Sequence, residues 1–149
     1  MSCVYKIKFS KSPESLNEDY DMLSDMDKAK IFEMVADSIF EFTENGLYCF
    51  YVIVEVIELN PYLNILNENF IRYELKNIST DILKGKFDTD LIKDSISFDS
   101  EIKYLNFIED LNEWIYNNLD IDTILDKISR YGILSLKDIE IKYLKNNNE

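Results

Sequence analysis

Three carboxylates, Asp88, Asp90 and Asp94, fall close enough together to hold Mg²⁺ for phosphoryl transfer or to divide acid and base work between them. A chain in which 30% of residues are charged produces such spacings by chance, and no glycine-rich phosphate cradle accompanies this one. The Asp19–Asp21 and Asp88–Asp90 pairs open like the ligand series of a calcium loop. Neither run continues with Gly at the sixth position and Glu at the twelfth, so neither completes an EF-hand. The chain has no His, which removes the usual proton shuttle and the commonest transition-metal ligand. Cys3 and Cys49 make neither a disulfide framework nor a zinc site and read as buried free thiols. No catalytic residue, metal ligand or cofactor is expected.

The denser chemistry is acidic. Glu14, Glu18, Asp19, Asp21, Asp25 and Asp27 follow one another with no basic residue between Ser12 and Asp27. Such a run complements a cationic groove on a partner, or else is a solvated segment whose acids favour a helix N-terminus. The whole chain carries 29 acidic and 16 basic residues, a net charge of −13. That sign repels nucleic acid and anionic lipid and attracts basic protein, so direct nucleic-acid and membrane binding are not expected. Tyr48, Phe50 and Tyr51 could stack on bases, but Glu44, Glu55 and Glu58 flank them where a nucleic-acid platform needs Lys and Arg. Trp114 is a candidate partner anchor by residue type, although one Trp beside an apolar stripe reads first as core.

These residues must be positioned by a globule. The 149 residues are 46% hydrophobic, with ten Tyr and nine Phe and only three Gly and two Pro, which suits one packed domain. The longest apolar stretch, Leu47 to Val54, is too short to cross a bilayer. Met1 to Phe9 contains no basic segment followed by an apolar export core, so a cytoplasmic location is expected.

Cys3 to Phe9 alternates as a strand, and Ser10 to Ser24 turns polar and reads as a loop or an irregular helical turn. Ser24 with Asp27 resembles a capping box, after which Phe32, Val35, Ala36, Ile39 and Phe40 keep helical spacing until Asn45 and Gly46. Leu47 to Ile57 is apolar at both parities until Glu55 and predicts a central strand covered on both faces. Asn60 before Pro61 predicts a helix start, with Leu63, Leu66 and Phe70 facing inward, and Ile71, Tyr73 and Leu75 alternate as a third strand. The expected class is therefore α+β: a small three-stranded sheet in β-α-β-α-β order over residues 1–79, a connection at 80–98, and a helical part at 99–146. Within that last part Ile102, Leu105, Ile108, Leu111 and Ile115 form one stripe, with Tyr104 and Trp114 at its margins. A helix opening at Asp120 stops at Gly132, and Ser135 with Asp138 suggests a capping box for a last one.

Asp126-Lys127-Ile128-Ser129, Gly132, Ser135-Leu136, Glu140 and Leu144 carry a resemblance of their own. Residues 126–144 resemble a short helical-hairpin tail, a domain of unknown function similar to segments on rhomboid-type intramembrane proteases and other small bacterial proteins. Lys137 and Tyr143 stand where that pattern has Thr and Phe. The resemblance implies a fold for the tail, and no activity, cofactor or catalytic residue.

The functional expectation is a non-enzymatic, acidic protein-binding inhibitor of a basic, nucleic-acid-handling partner such as a nuclease or nucleoprotein effector. Toxin-immunity proteins and phage anti-defence or anti-CRISPR-type inhibitors are of this sort, and an Asn-, Ile- and Lys-rich composition fits an AT-rich bacterial or phage genome. The alternative is a structural or regulatory subunit, homodimeric through its helical C-terminus. A carboxylate-dependent metal enzyme is the third reading.

Overall fold

The computed structural model describes residues 2–35, 38–84 and 101–147. Strand β1 (Cys3–Phe9) leads through helices α1 (Pro13–Asp21) and α2 (Asp25–Val35) into a hairpin of β2 (Ile39–Glu44) and β3 (Leu47–Val54). Helix α3 (Val56–Glu68) then carries the chain to β4 (Tyr73–Asn77) and the short α4 (Ser79–Leu83). Helices α5 (Glu101–Asn118), α6 (Ile121–Tyr131) and α7 (Asp138–Asn147) follow, with a 3-10 turn at Ile133–Ser135 before the last. The four strands are antiparallel to their neighbours in the order β2-β3-β1-β4.

The α+β class is as expected, but the sheet has four strands rather than three, and the first connection contains two helices. Both corrections trace to turn chemistry. Asn45 and Gly46 take positive φ values of 53° and 79°, the conformation demanded of both central residues in a two-residue type I′ hairpin. They therefore join β2 to β3, with Glu44 opposite Leu47, instead of ending a helix. Ile39 and Phe40 consequently lie in β2, and α2 ends at Val35; Ala36 lies outside the described residues. Upstream, Ser12 accepts the Ser15 N–H at its Oγ and Pro13 occupies the first turn, so a regular helix α1 forms where a loop or an irregular helical turn was expected.

The sheet is covered on both faces. Tyr5, Ile7 and Phe9 of β1 and Phe50, Val52 and Val54 of β3 point one way, into a core closed by Leu16, Ile31, Leu59 and Leu66. Val4, Phe40 and Tyr51 point the other way, against Ile82 and the α5 side chains Tyr104, Phe107, Leu111 and Trp114. This second core turns α5 relative to expectation. Its buried residues recur at i, i+3, i+7 and i+10, with the Tyr104 and Phe107 rings meeting Phe40 and Tyr51, while Ile102 and Leu105 are exposed. Aromatic side chains bury more area per residue than Ile or Leu, so the ring-bearing face wins the sheet.

Helix α3 starts at Val56, earlier than Asn60 and Pro61 suggested, so Pro61 lies within it. Pro61 offers no N–H to the Ile57 carbonyl, a loss tolerated where both residues are exposed. At its end the Ile71 N–H bonds the Leu66 carbonyl and the Phe70 N–H bonds that of Asn67, a Schellman motif. Phe70 takes φ 59° at the position usually given to Gly, so its ring is turned out to solvent instead of inward. Cys3 pairs with Val54 and Cys49 with Lys8, opposite ends of the β1–β3 ladder. Five ladder steps put them roughly 16 Å apart, beyond disulfide reach. The 80–98 connection lies largely outside the described residues. No described helix is long and apolar enough to cross a membrane.

Candidate functional site

Helix α1 sorts the acidic run. Glu14, Glu18 and Asp21 recur at i, i+4 and i+7, and all three are exposed, so they form one stripe along the solvent side of α1. Asp19 turns away from it, its Oδ2 accepting from the Lys11 ammonium at 2.7 Å. Asp25 and Asp27 occupy the first turn of α2, where the unpaired N–H groups favour negative charge, and the Asp27 N–H donates to the Ser24 Oγ. The six acids thus split into an exposed stripe, an ion-paired member and a helix-start pair. Trp114 is not brought near them. It is 6% exposed in the α5 core, and its indole N–H donates to the Ser2 carbonyl at 3.1 Å, so its ring serves the fold and is not presented to a partner.

Beside the acidic stripe opens a cleft of about 350 Å³ between α1, α2 and the β2–β3 hairpin. Leu16, Ile31 and Phe32 supply apolar wall, and Tyr20, Tyr48 and Glu41 supply polar atoms. Phe32 is 75% exposed instead of facing the core as the helical spacing predicted, because Ile31 takes the inward position of α2. The Tyr48 hydroxyl donates to Glu41 Oε2 at 2.7 Å, and the Tyr20 and Tyr62 hydroxyls share a hydrogen bond at 3.1 Å.

Burial, partly offset by the Tyr62 hydrogen bond, pushes the Tyr20 hydroxyl up to about 12. Burial and the hydrogen bond to Glu41 raise Tyr48 further, and burial beside Tyr20 raises Tyr62. All three phenols therefore stay protonated at neutral pH. They can donate and accept hydrogen bonds, but none is poised to abstract a proton. Among the described residues no group of three or more Cys, Asp and Glu side chains could hold a metal ion. Asp88, Asp90 and Asp94 lie outside the described residues. The arrangement is suited to binding.

The acids are visible in the sequence, but the cleft beside them is not. Two signals for it were present: Ser12-Pro13 as a helix start, and Asn45-Gly46 between alternating apolar residues, which folds Glu41 and Tyr48 onto adjacent strands. Compared with known proteins, the chain matches no family model, no curated protein and no solved structure.

Proposed function

We propose that this protein is a non-enzymatic inhibitor that binds a basic, nucleic-acid-handling protein through the acidic side of α1 and the start of α2. A toxin nuclease or a nucleoprotein defence effector has the required chemistry, which would make the chain an immunity or phage anti-defence protein. The observation that carries this reading is the exposed Glu14, Glu18 and Asp21 stripe beside a concave, partly apolar surface. Charge gives long-range attraction to a cationic partner, and the concavity gives short-range shape. The partner's phosphate-binding surface would supply the opposite sign.

Screening shortens the reach of exposed charges to about 8 Å at physiological ionic strength. The association rate with a basic partner recovered from cells is therefore expected to fall steeply with salt. Changing Glu14 and Glu18 to Gln and Asp21 to Asn should lower the low-salt rate about tenfold and flatten its salt dependence. Asp19 is left intact because its loss would release Lys11. Stopped-flow or surface-resonance kinetics decide the matter: a triple variant with the parent rate and salt slope removes the acidic stripe from the interface.

A second reading, a structural subunit that self-associates, is favoured by the C-terminal tail. Leu134 is 97% exposed, and Tyr131 and Ile133 beside it are largely exposed. Residues 121–149 carry five acidic and five basic side chains, so the entire net charge falls on residues 1–120. Two copies would meet least repulsion at this neutral, apolar turn. On that reading Leu134→Asp converts a dimer to a monomer in sedimentation equilibrium; a parent protein that sediments as a monomer at high micromolar concentration removes it.

A further inference from the structure

The cleft has a sharper chemistry than general acidity. Two carboxylates stand on its lining from different elements, Asp21 at the end of α1 and Glu41 on β2. Glu41 uses Oε2 to accept from Tyr48, which holds the carboxylate in place while Oε1 remains for another donor. No basic residue lies in the last turn of α1, so the partial negative charge of that helix end adds to Asp21 on the same side. Around these groups the lining is aromatic and aliphatic, with Phe32, Tyr20 and Leu16 in reach of a long side-chain stem. Carboxylates combined with aromatic rings in a concave site form the recognition chemistry of an organic cation.

We infer that this cleft receives an arginine side chain of the partner, its guanidinium held between Asp21 and Glu41 and its stem laid along Leu16 and Phe32. This rests on the basic-partner reading above and adds the mode of contact. Arginine suits the site better than lysine for two reasons. Its planar group can fork to a carboxylate and stack flat on an aromatic face at once, whereas an ammonium meets either as a point charge without the fork or the stacked plane. Its weaker hydration also makes entry into a half-apolar cleft less costly. Lys28, exposed on the α2 side of the lining, offsets one of the two carboxylates and so limits the site to a single cation.

The test uses the full chain and a capped tripeptide, Gly-Arg-Gly, beside its citrulline counterpart, which keeps the planar shape but lacks the charge and carries a carbonyl oxygen in place of one donor nitrogen. In an amide-resolved NMR titration at low salt, the arginine peptide should shift the signals of Tyr20, Phe32, Glu41 and Tyr48 with millimolar affinity. The citrulline peptide should bind about tenfold more weakly or not at all, since tenfold corresponds to about 1.4 kcal/mol. Glu41→Gln and Phe32→Ala, both at exposed positions, should each weaken the arginine peptide severalfold while leaving the fold intact. Equal binding of the two peptides overturns the inference, as do shifts confined to Glu14 and Glu18. Either result leaves the basic-partner reading to its own salt experiment. Cleft binding with a salt-independent partner rate would instead spare the cleft and sink long-range steering by Glu14 and Glu18.

Discussion

Val52→Asp will leave no cooperatively folded protein. Val52 is fully buried in β3, with Tyr5 of β1 across one edge and Ile39 of β2 across the other, so no strand edge lets its side chain reach water. It points into the core shared with Leu59, Leu66 and Ile31, and among the described residues no basic side chain is buried to pair an aspartate. An unpaired carboxylate there must either desolvate or protonate, and either route costs several kcal/mol out of a domain stability of about 5–15 kcal/mol. Val52→Ala separates charge from volume. It should cost about 2 kcal/mol, lower the melting temperature and preserve a single sharp transition. Circular dichroism melts of the two variants check this, and an aspartate variant that melts like the parent would show that β3 is not the central strand.

That strand was legible because a run apolar at both parities has one physical explanation, cover on both faces, and Val52 with Phe50 on one side and Tyr51 on the other obeys it. The hairpin before it was not, because β2 contains Ile39, Phe40 and Phe42, a set whose first two members also extend the helical spacing of α2. Only the positive φ demanded at both Asn45 and Gly46 separates the alternatives. Helix α1 was hidden for another reason: it buries Leu16 alone, so its apolar signal is too thin for periodicity, and its cap is the informative feature. The cleft inherits both difficulties. Tyr20 and Asp21 come from the unseen helix and Glu41 from the unseen strand, so the acidic residues were visible in the sequence while the concave surface they border was not.

The second large effect is expected at Glu140, the buried charged residue of the tail. The sequence suggested Ser135 and Asp138 as the cap of the last helix. In the structure α7 begins at Asp138, and Glu140 reaches back to accept the Lys137 N–H at 2.9 Å, while Ser135 Oγ donates to the Gly132 carbonyl. The same Glu140 Oε1 accepts from the Lys127 ammonium of α6 at 2.7 Å, and Glu140 is 4% exposed. One carboxylate therefore caps α7 and ties it to α6. Glu140→Ala leaves a largely buried ammonium and a helix-end N–H without their acceptor, a loss of about 3 kcal/mol. The remaining described links from α7 to the body include the Tyr116–Tyr143 ring contact and the Asn146–Tyr116 hydrogen bond, both at the half-exposed Tyr116. The loss should thus appear as local opening: hydrogen exchange across 133–147 accelerates by about a hundredfold, while the β1 and β3 amides keep the parent rates. Joint replacement of Lys127 by Met and Glu140 by Leu removes both charges together and should recover the part of the protection lost to the unpaired ammonium, while the Lys137 N–H stays uncapped. If Glu140→Ala exchanges like the parent in α7, the ion pair does not hold the tail. If instead the whole sheet opens with it, the tail and the sheet form one cooperative unit, and the exposed apolar turn around Leu134 could not change without unfolding the acidic face as well.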